Sequence, residues 1–139
     1  MGNMNASRIL IGGIVAGVVI NIGTYILNAY LLGTDMTAAI TRMNLGPIGY
    51  EAMACFIVLG VVVGIATIWL YAAIRPRYGA GPKTAVWSGA AVWFFAYLYP
   101  GIGMIAMGMF PTSLMAVSLA WGLIEMLLAA QAGAFLYKE

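Results

Sequence analysis

The segment Thr112 to Tyr137 reads TSLMAVSLAWGLIEMLLAAQAGAFLY, and its one charged residue, Glu125, lies near its centre. A helix needs roughly 20 apolar residues to cross the hydrocarbon core of a bilayer. This segment meets that length, as do Ile9 to Leu32, Ile48 to Ile74 and Ala85 to Met109. The four stretches are too long for membrane barrel strands of about 10 residues and lack a polar–apolar alternation. In lipid a helix satisfies its own backbone groups. The expected fold is all-α: one membrane domain over residues 1–139, a transmembrane four-helix bundle with helices at about 9–32, 48–74, 85–109 and 112–137.

Composition agrees. Hydrophobic residues make up 64% of the chain and charged ones 7%, against about one quarter charged in soluble domains. A net charge of +2 does not point to nucleic acid. With no histidine and one cysteine, histidine-ligated haem, His/Cys zinc sites and histidine general acid–base catalysis are absent as options. Cys55 has no second cysteine for a disulfide and reads as a small hydrophobe. No cofactor or metal is expected.

Four spans force the loops onto alternating sides. Arg8, Arg75, Arg77, Lys83 and Lys138 fall on one side and Arg42 on the other. Basic residues mark the cytoplasmic face, so both termini are expected inside, with Arg75, Arg77 and Lys83 touching lipid headgroups. Tyr30 and Tyr50 outside, and Tyr71, Trp87 and Tyr137 inside, sit where aromatic residues anchor to the interface. Between the first two spans, Thr34 or Asp35 could cap a helix from Met36 to Asn44, ended by Gly46-Pro47. That stretch is either a short helix along the outer surface or an exposed loop. The Met1-Gly2 start lacks the Ser or Thr that N-myristoylation wants at the sixth residue, where Ala6 stands. Asn5-Ala6-Ser7 fits a glycosylation acceptor but lies on the expected cytoplasmic tail.

Helices in lipid associate through close packing of small residues. Gly13 and Gly17 form a GxxxG on the first span, Gly60 and Gly64 another on the second. Ser118, Gly122, Ala129 and Gly133 serve the fourth. These are expected to be bundle contacts, or otherwise oligomer faces.

With each span centred in the bilayer, Asn21, Tyr97 and Glu125 fall at one depth. Gly13, Gly17, Asn21, Thr24 and Asn28 recur at spacings of four and three and share a face. Pro100, within Pro100-Gly101-Ile102-Gly103, cannot donate to the Ala96 carbonyl and is expected to kink the third span. An isolated membrane carboxylate costs about 2.5–3.5 kcal/mol on insertion scales, so Glu125 should point into the bundle. No Lys or Arg lies within the membrane to pair with it. Glu125 is therefore expected to be mostly protonated at neutral pH, hydrogen-bonded to Asn21, Tyr97 or the Ala96 carbonyl. The intramembrane polar site so defined is Glu125 with Asn21, Tyr97, Thr24 and Asn28. It reads as a neutral clasp between helices, a proton or cation site, or a contact to a partner helix, pigment or quinone. Glu51, near the outer end of its span, reads as a solvated carboxylate within reach of Arg42.

Gly79-Ala80-Gly81-Pro82-Lys83-Thr84 lacks the glycine that a phosphate-binding loop places directly before its lysine. With Ile74-Arg75-Pro76-Arg77-Tyr78-Gly79 before it, this loop and the four-span plan resemble uncharacterised bacterial four-helix integral membrane proteins. That resemblance implies the architecture and a bacterial inner membrane, and no activity. Small multidrug transporters are similar in size and also hold one membrane acid, but on the first helix, whereas Glu125 lies on the fourth.

No nucleophile–base pair or metal cluster is found, so an enzyme is not expected. With almost no mass outside the membrane, the expected role is an accessory or assembly subunit of a larger membrane complex. Its partners are the bilayer and a membrane protein or a second copy. The alternative is a small proton-coupled transporter using Glu125.

Overall fold

The computed structural model describes residues 4–138, and among these every regular element is a helix. The Met1-Gly2 start and Glu139 lie outside the described residues. The elements are α1 (Ala6–Ile26), a π-helical segment (Leu27–Leu32), α2 (Gly33–Arg42), α3 (Tyr50–Tyr78), α4 (Pro82–Trp93), a second π segment (Phe94–Leu98), α5 (Tyr99–Ala106) and α6 (Thr112–Leu136). They form four helical runs long and apolar enough to cross a membrane: Ala6–Arg42, Tyr50–Tyr78, Pro82–Ala106 and Thr112–Leu136.

The boundaries depart from expectation in three places. Asn5 caps α1, its side-chain oxygen accepting from the Arg8 N–H at 3.1 Å, so the helix begins before Ile9. The stretch after Leu32 is neither a loop nor a separately capped helix. Helix continues through the π segment to Arg42, and neither Thr34 nor Asp35 caps it. A run of 37 residues would be roughly 55 Å long if straight, more than the hydrocarbon core. It is not straight: Leu32, at φ −120° and ψ 1°, leaves the helical region at the join. Gly33 lies against the Asn28 carbonyl where a Cβ would collide. The polar residues of α2 do not stop it, because Thr37 and Thr41 return their hydroxyls to the Gly33 and Thr37 carbonyls, each at 2.8 Å. Ala39 packs with Leu27, Leu32 and Leu114, which ties α2 to the start of α6.

The third departure is at the basic loop. α3 continues past Ile74 to Tyr78, with Pro76 in its last turn. Arg75 and Arg77 are thus helical residues, placed where positive charge complements a helix C-terminus. Gly79 and Gly81, at φ 86° and 132°, make the turn, and Pro82 opens α4. Pro100 lies in the third run. The chain stays helical through it, and the irregular segment lies just before it, at Phe94–Leu98. α5 continues that π segment with helical backbone at Leu98 and Tyr99, so Pro100 leaves a carbonyl of the preceding turn without a backbone donor.

The bundle is closed at one end and open at the other. In the closed half, backbones approach to glycine distance. A Cβ on Gly13 would lie 2.5 Å from Ile65 Cα, one on Gly17 2.6 Å from Val61 Cα, and one on Gly12 2.6 Å from the Gly133 carbonyl oxygen. Around these contacts Ala16, Ile20, Ile68, Met126, Ala129 and Ala130 form the buried core. Ser88, fully buried, donates to the Thr67 carbonyl.

Two aromatics expected at the interface belong to this core instead. Tyr71 and Tyr137 are 3% and 4% exposed and meet edge to face, with ring centroids 5.9 Å apart. Their hydroxyls accept from the Gly81 and Asn5 N–H groups at 3.1 and 3.4 Å. The Arg75 guanidinium stacks over the Tyr137 ring at 5.4 Å. Tyr30, Tyr50 and Trp87 remain exposed.

In the other half, every residue of α3 from Glu51 to Leu59 is exposed. α5 packs on α6 rather than on α3.

Candidate functional site

Glu125 sits where the closed half gives way to the open one. α6 directs it towards α1, and its 5% exposure places it inside the bundle. Two hydroxyls reach it. Thr24 Oγ1 donates, at 3.3 Å from Oε1 and 3.5 Å from Oε2, and the Tyr97 hydroxyl donates to Oε1 at 3.4 Å. These are at the long end for hydrogen bonds, but they join three of the four spans through one carboxyl.

Two glycines make the arrangement possible. Gly23 lies directly against the carboxyl: a Cβ there would come within 2.9 Å of Glu125 Cδ and nearer still to Oε2. Gly122 does the same for the tyrosine, since its Cβ would lie 2.9 Å from Tyr97 Cδ1. Trp121, one helical turn before Glu125, donates its indole N–H to the Gly23 carbonyl at 3.0 Å. Trp93 donates to the Leu119 carbonyl at 3.0 Å, fixing the third span against α6.

The other polar residues of the expected site go elsewhere. Asn21 turns to α3, donating to the Ile57 carbonyl at 3.1 Å, and Gly60 leaves the room for it. Asn28 donates to the Thr24 carbonyl of its own helix at 2.9 Å and is exposed. Of the residues grouped by depth, Thr24 and Tyr97 meet Glu125, while Asn21 and Asn28 do not. Gly101 packs against Leu119 and Met115, and Gly103 faces open space. Arg42 and Glu51 are both exposed, and no ion pair joins them. Arg77 and Lys83 are exposed at the closed end.

Gly23 and Trp121 are the members that sequence reasoning missed. A tryptophan one turn before a membrane acid carries a signal, because a buried indole N–H needs an acceptor. Gly23, between Asn21 and Thr24, carries none without knowledge of what faces it.

Chemically, the arrangement offers one carboxyl, two hydroxyls and a carbonyl already engaged by an indole. It can hold or pass a proton and can join helices. Among the described residues no three of His, Cys, Asp or Glu come together as a metal site would require. The chain matches no protein-family model, no curated protein and no solved structure.

Proposed function

We propose that the chain is a non-enzymatic accessory or assembly subunit of a larger membrane complex, in a bacterial inner membrane with both termini in the cytoplasm. The observation that carries this reading is the bare half of α3. Nine consecutive helical residues, Glu51 to Leu59, are exposed on every side. A helix within a finished bundle covers part of its circumference. A second helix from another chain, laid along Ala52, Phe56 and Leu59 on the side of α3 turned away from α1, supplies what is missing. The GxxxG pairs Gly13/Gly17 and Gly60/Gly64 are spent inside the chain and serve its own closure. The orientation rests on the basic residues, with Arg77 and Lys83 towards anionic headgroups. α2 then lies at the outer surface, held there by Ala39.

The test is a photo-crosslinking amino acid at Phe56 or Val58 in cells. A discrete adduct with one membrane protein supports the reading; crosslinking to lipid alone contradicts it. A second reading, a small proton-coupled transporter, is favoured by one observation: the only acid deep within a span is met by hydroxyls from two others. Glu125→Gln separates them. The neutral isostere leaves a clasp folded and the complex assembled, and abolishes proton coupling.

A further inference from the structure

We infer that the Arg42/Glu51 end of the bundle holds a water-filled recess that brings hydrated protons to Glu125 from that end only. The inference builds on the Glu125 site of the second reading, but not on transport: access from one side holds whether or not anything is moved across.

The argument begins with the stripe on α1. Gly13 packs on Ile65, Gly17 on Val61, and Asn21 reaches Ile57. Each step of four along α1 is matched by four back along α3, as in two antiparallel helices. Continued upward, the same face carries Thr24 and Asn28. At that level the side chains on α1 change from glycine to polar, and α3 becomes exposed on all sides. Both Thr24 and Asn28 are exposed, although they lie on the face turned to α3 and not on the lipid-facing side marked by Val18, Ile22 and Tyr25. The glycines close the helix pair; above them it opens, and the α1 side of the opening carries the Thr24 hydroxyl and the Asn28 amide, opposite the apolar Ile57, Ala54 and Met53 of α3.

Polar groups at membrane depth face the bundle interior or a water-filled cavity, because hydrocarbon leaves them without partners. Asn28 uses one amide hydrogen on its own helix, and its other hydrogen-bonding positions meet no partner among the described residues. Thr24 forms the floor and donates to Glu125. Tyr97 comes from the third span and is the one titratable side chain that hydrogen-bonds to Glu125. On the outer half of α3 the titratable residues are Tyr50, Glu51 and Cys55, all exposed. On α6 no other titratable residue is present, and α1 adds Tyr25 on its lipid side and Arg8 at its far end.

Towards the opposite end there is no path. Below Glu125 come Met126, Ala129 and Ala130, each fully buried against Ile68 and Ala16. Beyond them the Gly12 and Gly133 backbones touch. A plug of this kind is dry, since water enters a cavity only where it finds polar partners.

Thiol reactivity tests both halves of the inference. The full chain, with Cys55→Ala as background, is reconstituted in sealed vesicles, and Lys138→Cys reports which end faces out. A charged, membrane-impermeant methanethiosulfonate reacts only with hydrated thiolate. Thr24→Cys and Asn28→Cys should react about tenfold or more faster than Ile124→Cys, when the reagent is on the side away from residue 138. Ile124 neighbours Glu125 in sequence but is 60% exposed on the outer surface, so its thiol lies in lipid. Asn28 is exposed and bonds only within its own helix, so Asn28→Cys retains the fold even if Thr24→Cys does not. Reaction at Asn28→Cys no faster than at Ile124→Cys overturns the inference, as it means that acyl chains or another helix fill the recess. Faster reaction from the residue-138 side overturns it too. Failure of proton coupling in a flux assay, with thiol access intact, removes the transport reading and leaves the recess standing.

Discussion

Gly23→Ala isolates the contact on which the site depends. The added methyl would lie 2.9 Å from both Cγ and Cδ of Glu125 and closer still to Oε2. Carbon atoms pack without repulsion at about 3.5–4.0 Å, so the carboxyl must retreat by more than half an ångström. It cannot do so freely, because Thr24 and Tyr97 hold it from two sides and Met126 and Ala129 beside it are fully buried. Overpacking of this kind costs about 1–3 kcal/mol. Any shift of the α1 backbone also strains the Trp121 hydrogen bond to the Gly23 carbonyl, a bond worth about 1 kcal/mol net. In an Glu125→Ala background the same methyl meets space instead. There the substitution should be neutral, or stabilising by up to about 1 kcal/mol, since alanine is the better helix former. The coupling between the two positions is therefore expected at about 1–3 kcal/mol. Reversible unfolding in mixed detergent micelles, on the two single variants and the double, measures it. Equal costs of Gly23→Ala in both backgrounds would refute the placement of the carboxyl against Gly23.

Other contacts make sharper or smaller predictions. Gly133→Ala should destabilise by about 1–3 kcal/mol or more, because its Cβ would meet the Gly12 carbonyl oxygen at 2.6 Å, a backbone atom that cannot rotate away; a melting temperature unchanged from the parent would contradict this. Gly103→Ala, in open space, should be neutral or slightly stabilising in the same melt. Trp121→Phe leaves the Gly23 carbonyl without its indole donor and should cost about 1 kcal/mol, read by the same unfolding assay. Asn21→Leu removes the bond to the Ile57 carbonyl; bonds of this type in membrane bundles are worth about 0.6–2 kcal/mol, and a larger loss would mean that Asn21 does more than join α1 to α3.

Much of the architecture was legible in the sequence because hydropathy fixes it. The four apolar stretches appear as four helical runs, and Glu125 at the middle of the last lies inside the bundle. What periodicity could not tell was where polar residues end a helix. Thr34, Asp35, Thr37 and Thr41 read as a break, yet Thr37 and Thr41 bond back to their own helix and the run continues to Arg42. Basic Arg75 and Arg77 read as loop for the same reason, although charge near a helix C-terminus is favourable. Depth alone grouped Asn21 with Glu125. Depth does not give azimuth, and Asn21 lies on the side of α1 that Gly60 clears for it on α3. Tyr71 and Tyr137 were assigned to the interface by residue type, whereas Tyr71 takes the Gly81 N–H of the turn that follows its helix and Tyr137 the Asn5 N–H from the far end of the chain. Gly23 could not be found from one chain segment, because its role is set by a carboxyl some hundred residues away.

The claim beneath all of this is that one carboxyl joins the first, third and fourth spans. Infrared spectroscopy of the purified chain, with Glu125 identified by difference against Glu125→Gln, tests it most directly. Thr24→Val and Tyr97→Phe each remove one hydroxyl from that carboxyl and should each shift its stretching band, while Ser118→Ala, whose hydroxyl bonds to the Leu114 carbonyl, should leave it in place. A band that stays fixed in both Thr24→Val and Tyr97→Phe would mean that Glu125 meets neither hydroxyl, and the clasp would not exist.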